Sequence, residues 1–247
     1  MIKKHALAIA FLIAVLIAVN VFYFGSVQSA GKRQQAIVAR VIDGDTLKTA
    51  GGETIRLLNI NSPEKGTIRA EEALNFLKMF ENKSIELEIT GTDKYKRTLA
   101  RIYTPDYLNL EMVELGLAPK FLVQENELKK FANAEENAVK NSLGIWKKSE
   151  FFNCFSADID EKAEIVTLNT KCGEINLAGW LLKDESRKTY KFSSITAGKI
   201  KIHSGKGESN QTDLFWNSDA AIWNNDRDTL YLFDSRGGIA HHEAYGY

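Results

Sequence analysis

The chain divides by the rhythm of its apolar positions. Ala6 to Phe24 is a nearly unbroken apolar run behind the basic Lys3 and Lys4. A membrane-spanning helix needs about 20 such residues, so the run is long enough to be a retained anchor. Val27-Gln28-Ser29-Ala30 also reads as a cleavage site, which keeps a cleaved signal peptide open, and a buried core helix is the third reading. Residues 1–31 form this segment, with its basic end left in the cytoplasm and the remainder facing outside.

From Ala36 the period changes to two. Ala36 to Ile42, Thr46 to Thr49 and Glu53 to Ile60 alternate or are rich in β-branched residues, with turns at Gly44 and at Gly51-Gly52. Arg69 to Asn82 then carries a helical stripe at Ala70, Ala73, Leu74, Leu77 and Phe80. Strands are predicted again at Ser84 to Ile89 and Leu99 to Tyr103, followed by helices over Asn109 to Leu115 and Glu125 to Asn141. Five short strands with a helix after the third predict a small barrel with appended helices (α+β), over residues 32–148. Beyond Glu150 helical patterns stop. Short alternating runs at Ala163 to Leu168, Trp180 to Lys183, Lys188 to Phe192, Lys199 to His203, Thr229 to Phe233 and Gly238 to Tyr245 predict an all-β sandwich over residues 150–247.

Composition narrows the chemistry. The hydrophobic fraction is 44%, enough for packed cores. Formal net charge is zero, so affinity for a polyanion must come from a local patch. The two cysteines, Cys154 and Cys172, lack the neighbours that a zinc site needs. Asp226, Asp228 and Asp234 read as turn acids rather than as a cation site, and His241-His242 as an exposed strand pair.

The candidate chemistry sits in Ile42 to Glu64 and Asp93 to Arg101. Asp43 and Asp45 flank Gly44, Arg56 lies in an apolar run, Glu64 follows Pro63, and Arg97 falls in D-K-Y-K-R-T-L-A-R. Oxygen ligands suit a hard cation, arginines suit a phosphate and a spare carboxylate suits a water. Each element alone is commonplace, as a turn, a snorkelling arginine, a helix start or a charged hairpin. Their order and spacing resemble the staphylococcal nuclease family over Gln35 to Trp146. That resemblance implies an OB-fold barrel and hydrolysis of DNA and RNA phosphodiesters. It implies one Ca²⁺ held by Asp45, the Thr46 carbonyl and the position of Asn61, with Asp43 as ligand or neighbour. It implies Arg56 and Arg97 on the phosphate and Glu64 on the water. Lys94 and Tyr95 would contact a phosphate of the strand, and Phe121 is left as the residue able to stack. Asn61 stands where the family has an acid, so weaker metal binding is expected, and a barrel retired into nucleic-acid binding is the rival reading.

The second half carries another resemblance. Leu177 to Asp184, His203-Ser204-Gly205, Trp223 to Thr229 and Tyr231 to Asp234 resemble the lamin-tail family. This implies an immunoglobulin-like sandwich with a binding role toward an unidentified ligand or surface partner. Cys154 and Cys172 would fall at its first strand and first hairpin, and an exported chain would join them. The expectation is thus a monomeric nuclease at the cell surface, tethered by the N-terminal helix or secreted if that segment is cleaved.

Overall fold

The structure is a computed structural model and describes residues 33–67 and 69–247. The N-terminal apolar run lies outside the described residues. Among the described residues no helix is long and apolar enough to cross a membrane.

The first unit is a closed five-stranded barrel of strand order β1-β2-β3-β5-β4. Its strands are β1 (Gln34–Asp43), β2 (Thr46–Thr49), β3 (Thr54–Leu57), β4 (Ser84–Thr92) and β5 (Thr98–Tyr103). Closure comes from β1 pairing antiparallel with β4, while β3 and β5 run parallel. β1 buries Val38 and Val41 with Leu47, Ile55, Leu87 and Ile102 in one core; the two valines are three apart because a bulge breaks the strand's period of two between them. The predicted third strand is shorter than its apolar run: it stops at Leu57, Asn59 takes a positive φ, and Ile60 rejoins the fold through a bridge to Lys120. That early stop turns residues 58 to 64 out of the barrel wall and makes them a loop.

Helix α1 (Ala70–Lys78) packs its Ala73 and Leu77 stripe on the barrel, shorter at both ends than its periodicity predicts. Helices α2 (Leu108–Glu114) and α3 (Leu128–Lys140) follow, with a 3-10 turn at Glu125–Glu127 taking the first residues of the predicted long helix.

The second unit has two four-stranded sheets. One is ordered β10-β9-β14-β15 and the other β13-β12-β7-β6. Their strands are β6 (Phe155–Asp160), β7 (Ile165–Thr170), β9 (Leu181–Lys183), β10 (Thr189–Lys191), β12 (Lys199–His203), β13 (Asp213–Phe215), β14 (Asp228–Phe233) and β15 (Ile239–Tyr245). A small pair, β8 (Ile175–Asn176) and β11 (Thr196–Ala197), completes the unit. Val166, Leu168, Ile200 and Ile202 from one sheet share a core with Leu182, Leu230 and Leu232 from the other, so the sheets face each other as a sandwich. Four strands here, β6, β8, β11 and β13, lie outside the alternating runs named above. Cys154 and Cys172 are joined by a disulfide across the β6–β7 end. Trp180 and Trp223 are core, and Trp216 packs against that core partly exposed. The Asp228 carboxylate accepts the backbone N–H groups of Glu185, Asn224 and Thr229, as a turn acid does.

The two units are not beads on a linker. A third apolar cluster takes Ala138, Val139, Ile145 and Trp146 from the first and Tyr231 and Ile239 from the second. Beside it, Lys120 Nζ lies 2.7 Å from Glu135 Oε2 and donates to Thr229 Oγ1 at 2.6 Å. Glu135 also accepts from Tyr231 OH at 3.1 Å, and His242 Nε2 stands 3.3 Å away. Buried polar groups need such partners, and here each unit supplies some of them to the other. His242 is therefore an interface residue rather than the exposed strand residue expected from its sequence context.

Candidate nuclease site

The loop made by the early end of β3 meets the β1–β2 turn. Gly44 allows that approach: a Cβ there would come within 2.7 Å of Ala73 Cβ and of Ser62 Oγ. A glycine between the two acids therefore lets Asp43 and Asp45 sit against residues 61 to 64. Asp45 is buried, and its Oδ2 accepts the Ser62 N–H at 2.8 Å and lies 3.3 Å from Arg56 Nη2. Thr46 Oγ1 donates to its other oxygen at 3.0 Å.

Arg56, only 7% exposed, is fixed by the carbonyls of Leu57 and Ile60 and by Asn61 Oδ1 at 3.1 Å. Burial pulls its pKa down, Asp45 pushes back, and the nearby Arg97 and Arg187 pull it down further. Arg97 is aimed by Asp93, which it meets through both Nε and Nη2 at 2.8 Å, and it reaches Thr46 Oγ1 at 3.4 Å. Lys94 and Tyr95 lie on the same hairpin and are exposed, Tyr95 to 68%.

One cleft brings these groups together. Asp43, Asp45, Arg56, Asn61, Glu64 and Arg97 all line it, with Lys94, Tyr95 and Phe121 at its rim. Thr46, expected to offer its carbonyl to the metal, is buried and is not among the residues that line this cleft. Glu64 is freely placed: its side chain is 69% exposed and its near charged partner is an arginine.

That arginine is one the sequence motifs do not contain. Arg187, on the turn between β9 and β10 of the second unit, lines the same cleft. Its Nη1 donates to the Ser62 carbonyl, and Nη2 lies 3.8 Å from Glu64 Oε1. Three guanidinium groups thus line the cleft, each beside a carboxylate: Arg56 at Asp45, Arg97 at Asp93 and Arg187 at Glu64. With Lys65 and Lys94 the lining holds five cations to four carboxylates, so an anion would be held here by the arginines' N–H donors rather than by a large net charge.

The donors that line the cleft and could hold a metal are all oxygen: the Asp43 and Asp45 carboxylates and Asn61 Oδ1. Burial and the adjacent Asp45 raise the Asp43 pKa, which is the signature of two carboxylates sharing a place where a cation would relieve both. This donor set fits a hard cation. Among the described residues no group of three or more His, Cys, Asp or Glu forms a metal cluster, so the fit depends on carbonyl oxygen as well. Asn61 has a structural reason for being an amide. Its Nδ2 faces the Glu185 carbonyl of the second unit at 3.4 Å, where a carboxylate would meet a like partial charge.

Two family models match the chain. Residues 54–148 match the family described as Staphylococcal nuclease homologue, and residues 155–247 match the Lamin Tail Domain. The chain carries a staphylococcal nuclease homologue domain followed by a lamin tail domain. It is similar to an "Uncharacterized endonuclease" of Haemophilus influenzae, 34% identical over 115 residues that cover 44% of this chain and 64% of that protein. It is also similar to an "Uncharacterized endonuclease" of Escherichia coli, 29% identical over 119 residues covering 46% of this chain and 77% of that one. The chain thus spans less than two thirds of the Haemophilus protein. The nuclease family match begins at Thr54 and so does not reach Asp43, Asp45 or Thr46; in the structure β2 pairs with β3 and sets Thr46 opposite Arg56.

Proposed function

We propose that this chain is a Ca²⁺-dependent nuclease that hydrolyses DNA and RNA with little sequence preference. The observation that carries the proposal is the convergence of Arg56, Arg97, Asp45 and Glu64 on one cleft. A phosphodiester resists attack because it is anionic, so catalysis needs charge neutralisation and a placed water. Arg56 and Arg97 supply fixed N–H donors to phosphoryl oxygens, and their fork geometry matches two oxygens at once. Arg187 brings a third guanidinium to the same space. Glu64 takes a proton from the attacking water as its oxygen bonds to phosphorus. The P–O bond to the 5′ oxygen breaks, that oxygen gains a proton from solvent, and a 3′-phosphate remains. Ca²⁺, held by Asp45, Asp43, the Thr46 carbonyl and Asn61, would neutralise phosphate charge in this site. Contacts are to phosphates, so sequence is not read. Lys94 and Tyr95 extend the cationic track along the strand, and Phe121 offers a ring to a base.

The site residues, the metal and the disposition of the chain are parts of this reading. The N-terminal segment would hold the enzyme outside the cell at the membrane, and the disulfide suits an oxidising compartment. Lys120 and Glu135 lock the lamin tail domain to the barrel, so that domain is a fixed wall of the enzyme and a surface for a further partner. The test is hydrolysis of single-stranded DNA with and without Ca²⁺, beside Glu64→Ala. One observation favours a second reading: Asn61 Oδ1 is already engaged by Arg56. A protein that retains DNA but does not cut it would fit that reading, a nucleic-acid-binding module.

A further inference from the structure

The cleft does not end at Glu64. A cavity of about 430 Å³ lies beyond it, between the barrel and the sandwich, and Asn61, Pro63, Glu64 and Arg187 line both spaces. Lys183 of the lamin tail domain lines the cavity. It ends β9, pairs with Thr189 on one neighbouring strand and with Tyr231 on the other, and so has a fixed place on the sheet. Its ammonium stands 5.8 Å from the centre of the Phe233 ring, which also lines the cavity.

This lysine is half-buried and has no counter-charge. Among the described residues no carboxylate lies within ion-pair distance of it, whereas Arg56, Arg97 and Arg187 each stand beside one. Two of the cavity's three carboxylates, Asp184 and Glu185, are 1% exposed and engaged elsewhere. Asp184 accepts the Lys188 N–H and the Ser186 hydroxyl, and Glu185 accepts the Tyr247 hydroxyl. The third, Glu64, is exposed. Burial lowers the pKa of Lys183 and Arg187 lowers it further; in the same way Arg97 and Arg187 add to the effect of burial on Arg56. Arg97, Arg56, Arg187 and Lys183 thus form a row whose neighbours feel each other's charge, and the row crosses from the barrel into the sandwich. Like charges in a row oppose one another until a polyanion lies along them. Buried charges are normally paired within the protein, so the unpaired member of this row is the one left for an outside anion.

We infer that Lys183 is a second phosphate subsite, supplied by the lamin tail domain: while Arg56 and Arg97 hold one phosphate of a nucleic-acid strand, Lys183 takes a neighbouring phosphate of the same strand, with Arg187 between them. The inference rests on the nuclease reading for the first phosphate. The sandwich then shares in substrate binding, and strands long enough to reach Lys183 are favoured over shorter ones. An ammonium acts on phosphate as a point charge, so the subsite reads no sequence.

Fluorescence anisotropy of a labelled oligothymidylate of about eight nucleotides tests it on the full chain. A Ca²⁺ chelator keeps binding apart from cleavage. Each phosphate contact to a single strand steepens the fall of log K with log salt by about 0.7. Lys183→Ala should flatten the slope by about that amount and weaken binding roughly 5–10-fold at about 50 mM salt. Lys183→Gln keeps most of the side chain's bulk and should do the same, which separates the effect from a folding defect. Lys199→Ala removes an equal charge from an exposed position on β12 that lines neither space, and should leave slope and affinity unchanged. An unchanged slope in both Lys183 variants would overturn the inference. So would an equal flattening in Lys199→Ala, which would reduce the effect to net charge. Cleavage of single-stranded DNA in Ca²⁺, measured in parallel, separates the two readings. Cleavage with an unchanged slope removes the subsite alone, and a flattened slope without cleavage removes the nuclease reading alone.

Discussion

Arg187 Nη2 lies 3.8 Å from Glu64 Oε1, and the two residues belong to different domains. A group from the lamin tail domain therefore stands beside the residue assigned to the attacking water. A charge-assisted hydrogen bond to phosphate contributes about 1.5–3 kcal/mol, or roughly 10–100-fold in rate. Arg187→Ala is expected to lower kcat/KM by that factor, with Arg187→Lys recovering only part because an ammonium lacks the fork. Steady-state cleavage beside thermal melts checks it. An unchanged kcat/KM with a lowered melting temperature would reduce Arg187 to a clamp on the Ser62 carbonyl.

The Lys120–Glu135 pair, 2.7 Å apart and 1% exposed on both sides, lies within the first unit and holds Thr229, Tyr231 and His242 of the second. Burial opposes ionisation of Glu135, but Lys120 and His242 overcome it and hold its pKa at about 2. Lys120→Met leaves that carboxylate without its main partner and should cost about 3–5 kcal/mol. Urea unfolding measures the loss. A change below about 1 kcal/mol would show that the interface does not depend on this pair.

These two residues mark what the sequence conceals. Asp43, Asp45, Arg56, Glu64 and Arg97 are legible because short turns hold them at fixed spacing, and the barrel strands because their alternation faces one core. Arg187 is not legible: it is 125 residues from Ser62, its contact, and its local sequence Glu185-Ser186-Arg187 is an ordinary polar turn. Lys120 sits in an apolar stretch that gives no sign of a buried charge. Strand β6 carried a usable signal, since Phe155, Ala157 and Ile159 alternate with Ser156, Asp158 and Asp160. Strands β8 and β11, at two residues each, carry none. The immediate packing of domain on domain across Lys148 and Ser149 is a tertiary fact, set by Trp146 against Tyr231 with ring centroids 5.3 Å apart.

Glu185 sits at the same interface, and burial, with Asp228 adding to it, raises its pKa to about 7. A carboxylate raised in the folded state binds its proton more tightly there than in the unfolded chain. Its contribution to stability is therefore present at acid pH and is lost as pH rises through about 7. Glu185→Gln should flatten the stability profile between about pH 4.5 and pH 7, measured by urea midpoints across that range. A slope equal to that of the native protein would place the titration elsewhere.

Asn61→Asp restores a negative charge to the metal donors and sets it against the Glu185 carbonyl, 3.4 Å from the amide nitrogen it replaces. Ca²⁺ affinity should rise, because charge on the ligands tunes affinity in oxygen sites. Calorimetry would show it, and equal affinities in the two proteins would mean that Asn61 does not ligate.

The most direct measurement is cleavage of single-stranded DNA by residues 32–247, with Ca²⁺ titrated to millimolar levels and Glu64→Ala alongside. Cleavage should require Ca²⁺ and fall by roughly 10²–10⁴ in the variant, the usual contribution of a placed general base. DNA that is bound but uncut at every Ca²⁺ concentration would contradict it.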